Sequence, residues 1–479
     1  MIERSKFYPN PWWTDELKRS KEKRERFYQI YRRHRTERNI IAWKRIRSEH
    51  KNLVNKSKTE QWRTFVGCLN YSTPLTKVYD TIRKIRGRQA NRIHILNVNN
   101  QIKSTVPDIA ETIADSFRNT SSDENYSPEF QTFKREVERN TIQFESNNQE
   151  YYNIPFSMSE FTQSLMATKE TTPGEDQITY KMIKMLKLEA KEYVLKIFNH
   201  LFLNSHYPNR WKMSIVVPVP KPGKDHSIPT NYRPIALTSN LGKLFERMIN
   251  QRLLNYLYIN GIINPIQCGG QKGRSTIDHL TRLEHHIKTG FSKKQLVFSI
   301  FFDIEKAYDM TWRYGIIQDL HKAGLRGSLP KYLTAFLAER LFSVKIKNHL
   351  STVKLQQNGI PQGSVLSVTL FILKINGITK DIPRSEGWCS SLFVDDLQIS
   401  FRNSNPTVIR EKMQSVLNKI QDWTKYNGFK FSPQKTNIVI FNPTTQMEIN
   451  PPILKLGDTN LPYQNTVKFL GLLWDSKLT

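Results

Sequence analysis

From Thr14 to Phe65 the chain has no proline or glycine. Its apolar and aromatic positions, among them Phe27, Tyr31, Trp43, Ile46 and Val54, are spread through dense basic residues. Apolar residues recurring in an otherwise charged run predict one or two long basic helices. Two roles suit such helices equally: a solvated face, or an arm that grips nucleic acid with its cations and stacks bases on its aromatics. The pattern then loosens. Residues 91–150 contain the polar tracts Ser121-Ser122-Asp123-Glu124-Asn125 and Ser146-Asn147-Asn148 and read as loop or linker.

A globular pattern begins at residue 151. Ser159 to Leu165 and Tyr180 to Phe202 have helical spacing, and Leu241 to Tyr258 has it strongly. Trp211 to Val219 reads as a strand, with Pro218 and Pro220 pointing to a sheet edge because proline donates no ladder hydrogen bond. Leu296 to Asp303 is an unbroken apolar run closed by an acid, the pattern of a strand buried on both faces. Thr369 to Ile378 reads as an apolar helix, and Ser391 to Phe401 as two short strands around Asp395-Asp396. No internal repeat is present.

The 479 residues suggest two or three units. With 72 Lys and Arg against 43 Asp and Glu the net charge is +29, which repels itself and asks for a polyanionic partner. Nucleic acid suits first, since neutralised phosphates release counterions, and an anionic membrane surface second. The charge is uneven: 24 Lys and Arg against 9 Asp and Glu give residues 1–90 a net of +15, residues 91–150 a net of −4 and residues 151–479 a net of +18. Cys68, Cys268 and Cys389 lie too far apart in sequence for metal-ligand or redox spacing. The polar opening from Met1 to Ser20 is no signal peptide, and the longest apolar run, Leu296 to Phe302, is too short to cross a bilayer. An intracellular protein without a membrane partner is expected.

Asp303, Asp395 and Asp396 sit inside apolar strand sequence. Bare carboxylates are costly to bury there, but bound hard cations such as Mg²⁺ make them acceptable. Adjacent strand residues point to opposite faces, so a tight turn between Asp395 and Asp396 would bring the first beside Asp303. Such a pair suits two metals that clamp the attacking and leaving oxygens of a phosphoryl displacement. An acidic β-turn with no chemistry is the plain alternative for Asp-Asp alone.

Ordered segments decide against it. They are Pro173-Gly174-Glu175-Asp176, VVPVPKPGKD (216–225), NYRPIALTSNLGKLFERMI (231–249), QKGRSTIDHL (271–280), FDIEKAYD (302–309), NGIPQGSVLS (358–367), FVDD (393–396), GFKFSPQKT (428–436) and VKFLGLLWDSKLT (467–479). Over roughly residues 170–479 the chain resembles the reverse transcriptases of non-LTR retrotransposons, particularly the jockey-like group. NPWWTDELKRSKEKR (10–24) resembles that family's segment between endonuclease and polymerase.

The resemblance implies an α/β (α+β) fold, a right-hand polymerase with palm and fingers, preceded here by the basic helical extension. It implies an RNA-directed DNA polymerase using two Mg²⁺ ions, with Mn²⁺ as a substitute, an RNA template, a DNA primer from nicked target DNA, and dNTPs. Asp303, Asp395 and Asp396 correspond to the catalytic carboxylates, with Asp396 the least secure metal ligand, and Ile304 would offer its carbonyl to a metal. Lys221, Lys224 and Arg233 would grip the triphosphate, Arg233 through bidentate contacts. Tyr308 would abut the sugar and exclude ribose. Gln362 and Gly363 would lie under the nascent base pair. Lys435 would protonate pyrophosphate as a general acid.

Some positions depart from the family pattern: Cys268-Gly269-Gly270-Gln271 replaces Phe-Gly-Phe-Arg, Val368 stands where Pro is usual, and Val394 where Ala is commoner. They leave a catalytically inactive nucleic-acid-binding remnant as the alternative, with an RNA-directed RNA polymerase and a two-metal nuclease as weaker ones. The expected organisation is a basic arm (1–90), a linker and polymerase extension (91–200), the reverse transcriptase domain (201–474) and the truncated start of a thumb (475–479). A nucleus or cytoplasm location follows only from the family's need to meet chromosomal DNA. Oligomeric state stays open.

Overall fold

The structure, a computed structural model, describes residues 12–68, 95–98, 101–271, 273–442 and 452–478. Residues 1–11 and 69–90 of the basic arm, and Lys272 of QKGRSTIDHL, lie outside the described residues. The chain forms two compact units, Met1–Arg92 and Ile93–Thr479. No helix among the described residues is long and apolar enough to cross a membrane.

The first unit contains α1 (Asp15–Arg33) and α2 (Glu37–Gly67), which pack against each other as a hairpin. Thr14 and Thr36 cap their N-termini by accepting hydrogen bonds from the Leu17 and Asn39 amides. Trp12 and Leu17 are buried against Trp13, Leu53, Val54 and Trp62.

The second unit opens with a small hairpin, β1 (Leu96–Val98) and β2 (Gln101–Lys103), followed by α3 (Val106–Thr120) and α4 (Pro128–Val137). The linker expected over 91–150 is therefore corrected. Ile109, Ala110, Ile113, Ala114 and Phe117 of α3 are buried against Val216, Phe342 and Val344, so that helix is part of the core. Its apolar spacing is helical, and among the described residues the irregular stretches are those around the Ser122 and Ser146 tracts. Next come α5 (Met158–Met166), α6 (Tyr180–Met185), α7 (Leu188–Leu203) and the short α8 (Asn209–Lys212).

Strands β3 (Met213–Pro220) and β4 (Tyr232–Leu237) follow, then α9 (Asn240–Ile259), α10 (Thr276–Ser292), β5 (Leu296–Phe302), α11 (Arg313–Lys322) and α12 (Ser328–Leu337). β6 (Leu341–Ile346), β7 (His349–Leu350) and β8 (Lys354–Leu355) complete a five-stranded sheet with β3 and β4. β3 is not an edge strand, contrary to expectation: it pairs antiparallel with β4 and parallel with β6. The parallel pairing stops at Val216, so Pro218 and Pro220 fall where only β4 is a neighbour, and Pro218 faces Pro234. Proline is tolerated where no second ladder needs its missing N–H.

The remaining elements are α13 (Val365–Ile375), β9 (Trp388–Phe393), β10 (Asp396–Asn403), α14 (Pro406–Lys425), β11 (Asn437–Phe441) and the hairpins β12 (Lys455–Leu456) with β13 (Thr459–Asn460) and β14 (Thr466–Phe469) with β15 (Leu472–Asp475). The second sheet has the order β11-β5-β10-β9. β5 is central and every residue of it is buried. Leu296, Phe298, Ile300 and Phe302 join the large core with Ile399 and Met413, while Val297 and Phe301 join Leu283 of α10 and Val439 on the other face. Covered on both sides, the strand has to be apolar throughout rather than alternating. After β15 the Leu478 amide donates back to the Asp475 carbonyl, and Leu478 packs on the core.

Candidate active site

The register of one strand pair places the three acids. Leu397 of β10 lies opposite Phe302 of β5, so Asp396 and Asp303 extend those strands at the same end of the sheet. Phe393 pairs with Asp396, and the two-residue connection between them is Val394-Asp395. The turn thus spans Val394 and Asp395, one residue earlier than expected. Val394 has φ 59°, a conformation that strains a β-branched residue. Gln267, fully buried, holds it there: its Oε1 accepts from the Val394 amide at 3.0 Å and its Nε2 donates to the Val394 carbonyl at 3.4 Å.

Burial, and then the charge of Asp303, raises the Asp395 pKa. For Asp396, the surrounding protein and the charges of Asp395 and Asp303 push it up to about 6, although its side chain reaches solvent. Lys435 donates to Asp303 Oδ2 at 3.4 Å, an exposed pair of little stabilising value. Ile304 is buried and bridges to Phe431. The flanking bonds run from the Glu305 amide to the Lys430 carbonyl and from the Ser432 amide to the Asp303 carbonyl. The Ile304 carbonyl itself accepts no bond from the described residues.

This donor set fits divalent cations. Carboxylates whose pKa values are raised lie near Asp303, the next residue has a spare carbonyl, and apart from Lys435 no cation among the described residues is bonded to this set. Among the described residues no three His, Cys, Asp or Glu side chains form a ready-made metal centre. An open set suits Mg²⁺, which keeps water and takes further oxygens from substrate phosphates.

A group of cations from separate segments lies around Lys221 and shares Lys435 with Asp303. Lys221 ends the β3 side of the β3–β4 turn and donates to the Thr230 carbonyl at 2.9 Å. Burial lowers its pKa, Asp309 opposes that, and Arg233, Lys435 and Lys306 add to it, so these charges share one neighbourhood. Arg233 is exposed on β4 opposite Val219. Lys224 is exposed in the turn and is not among the charges that Lys221 feels. Tyr308 is half-buried with its ring stacked on Phe371, centroids 4.7 Å apart. Burial and then the Asp395 charge push its hydroxyl well up.

The Pro361-Gln362-Gly363 loop is stitched to β4 and to the segment that follows β5. The Gln362 carbonyl accepts from the Ala236 amide of β4 at 2.8 Å, and the Gln362 side chain donates to Asp309 Oδ1 at 3.0 Å. Gly363 has φ 135°, and a Cβ there would collide with the Ala236 carbonyl oxygen. Gly363→Ala is expected to destabilise the protein by more than about 1 kcal/mol, read by urea unfolding with circular dichroism. An unshifted midpoint would show that the loop has room to move.

Three supporting residues carried no assigned role at the level of sequence. Asp309, the second acid of FDIEKAYD, receives Gln362, and burial pushes its carboxyl up to about 6. Glu246, fully buried, accepts from Tyr207 Oη at 3.0 Å, Ser364 Oγ at 2.5 Å and the Val365 amide at 2.9 Å, anchoring the start of α13. Arg313 holds the same loop by donating to the Gly359 and Asn358 carbonyls. An acid or arginine within an apolar segment was the available signal for each.

Residues 219–473 match the family model described as reverse transcriptase (RNA-dependent DNA polymerase). The chain is similar to a probable RNA-directed DNA polymerase from transposon BS of Drosophila melanogaster, 29% identical over 336 residues, covering 68% of this chain and 36% of that protein. It is also similar to the RNA-directed DNA polymerase from mobile element jockey of the same organism, 27% identical over 372 residues, covering 74% of this chain and 38% of that protein. The chain thus spans little more than a third of these relatives' length. Among solved structures, apo telomerase from Candida tropicalis matches with a TM-score of 0.39 at 15% identity, covering 60% of each chain.

Proposed function

We propose that this chain, which belongs to the reverse transcriptase (RNA-dependent DNA polymerase) family, copies an RNA template into DNA from a DNA primer, as the polymerase of a non-LTR retrotransposon. The observation that carries this is the β5–β10 register, which sets Asp303 beside Asp395 and Asp396, with Lys435 bonded to Asp303. Divalent cations, when bound, would neutralise the charge that develops between primer hydroxyl and triphosphate. Asp303, Asp395, Asp396 and the Ile304 carbonyl would hold them.

The chain's own groups supply the rest. Arg233 and Lys221 would bind triphosphate oxygens, with Lys224 as an outer contact that depends on movement of the turn. Lys435, released from Asp303 as cations bind, would stand ready to give a proton to departing pyrophosphate. Gln362 and Gly363 would floor the nascent pair, and Tyr308 would close the space beyond the sugar 2′ carbon. Priming from nicked chromosomal DNA would place the work in the nucleus, with synthesis of the protein in the cytoplasm.

Primer extension on an RNA template with Mg²⁺, comparing dNTPs with rNTPs, tests the proposal. DNA products are expected. Binding without extension would leave the inactive remnant, and extension with rNTPs alone would make it an RNA polymerase.

Asp309 has an expected part in the same reaction. Asp309→Ala frees the Gln362 amide and should raise KM for dNTP roughly tenfold, the value of about one hydrogen bond to a charged group, with little change in kcat. Asp309→Asn keeps an acceptor and should stay close to wild type. Equal losses of kcat and 1/KM in both variants would reduce Asp309 to a support of the fold.

A further inference from the structure

The α1–α2 hairpin is chemically lopsided. Residues 26–47, which surround its turn, contain the seven arginines Arg26, Arg32, Arg33, Arg35, Arg38, Arg45 and Arg47, plus Lys44, against one acid, Glu37. All eight cations are exposed. Among the described residues, Arg32, Arg33, Arg35 and Arg38 form no ion pair, whereas Arg45 pairs with Glu49 at 3.1 Å. The opposite end contains Asp15, Glu16 and Glu60 and reads as an ordinary mixed surface.

Local stability does not account for the turn cluster. Arg32 and Arg33 suit the last turn of α1, where the helix dipole favours cations. Arg35 and Arg38 flank the Thr36 cap at the N-terminal end of α2, where the dipole disfavours them. Four unpaired guanidinium groups within seven residues repel one another as well. Such a cluster becomes favourable when an ordered array of anions meets it, and the planar guanidinium matches phosphate in two-bond geometry.

The aromatics beside the cluster narrow the partner. Tyr31 stacks on Trp43 with centroids 5.3 Å apart, Tyr28 tilts against both, and Arg47 lies over the Trp43 ring at 5.2 Å. These faces are occupied by one another and form the hairpin's own packing. The base-stacking role open to them in the sequence is therefore already taken, and single strands lose the contact that would favour them. A duplex, whose bases are stacked internally and whose phosphates form a fixed array, has no need of it.

We propose that the arginine turn of the α1–α2 hairpin is a binding site for the phosphate backbone of a nucleic-acid duplex. It reads charge and spacing rather than bases. The site goes beyond the polymerase reading and does not depend on it, because binding is measured without nucleotides or turnover.

The test uses the full chain and a labelled blunt 20-base-pair DNA duplex, with affinity measured across a salt series. The variant replaces Arg32, Arg33, Arg35 and Arg38 with Gln. The comparator replaces Lys18, Arg19, Lys51 and Lys56 with Gln, removing equal charge away from the turn. Circular dichroism checks that both remain helical. The turn variant should lower the slope of log K against log salt by about 3 to 4 and weaken binding on the order of a hundredfold at 0.1 M salt. The comparator should show less than half of each change. Replacing the same four arginines with Lys should restore most of the slope. Equal losses in variant and comparator would overturn the site in favour of diffuse charge, as would no loss in either. A larger loss for an unstructured single strand would overturn the duplex assignment. So would a defect confined to phosphatidylserine vesicles, which would make the turn a membrane contact.

Discussion

Asp395→Asn is expected to reduce nucleotide addition by about a thousandfold or more, on the scale of losing a preorganised charge-stabilising group, while leaving RNA binding unchanged. Asp303→Asn should do the same. Both acids lie at one end of the β5–β10 ladder, and the charge of Asp303 adds to burial in raising the pKa of Asp395. Binding of a polyanion would draw on Lys and Arg rather than on these acids, so loss of a single carboxylate should hardly affect it. Single-turnover extension and filter binding on one preparation separate the two effects. Extension within tenfold of wild type by either variant would sink the assignment of these acids to the cations.

The second large effect concerns the sugar. Tyr308→Ala should raise ribonucleotide incorporation relative to deoxynucleotide by roughly a hundredfold, within the range that steric exclusion of a small group supplies. The ring packs on Phe371 and lies within the field of Asp395, five positions along the chain from Asp303. Removing it opens space next to the acids rather than in the distant core. Tyr308→Phe retains the ring and should retain the discrimination. Matched kcat/KM measurements for dNTP and rNTP decide it. Unchanged selectivity in an active Ala variant would make Tyr308 a packing residue for α13 alone.

The parts legible in sequence were those whose cause is local. An unbroken run from Leu296 to Phe302 can only be a strand covered on both faces, and the structure buries all of it. The acids at its end and at the β9–β10 turn were visible because charges inside apolar sequence need a reason. The parts that were missed depend on partners far along the chain. Glu246 meets Ser364 across 118 residues, and Gln267 meets Val394 across 127. The apolar setting of Glu246 marks it as unusual, but nothing near Glu246 or Gln267 in sequence names the partner. β3 misled for the same reason: its prolines are tolerated because its pairing with β6 stops at Val216, a limit set by a strand more than a hundred residues away. The segment 91–150 was read through its polar tracts, and the amphipathic spacing of α3 between them outweighed that impression.

Gln267 changes how the soundness of such a gene has to be judged. The shape of the turn that presents Asp395 is enforced by a side chain outside every acidic motif, against the preference of Val394 for extended backbone. A copy that lost Gln267 would keep FDIEKAYD and FVDD letter for letter and would be counted as intact by any inventory of motifs. It would nonetheless fail, with no lesion where one would look. Among diverging copies, substitutions at 267 and 394 should therefore be inherited as a pair, and a change to glycine at 394 should be the event that sets position 267 free to drift.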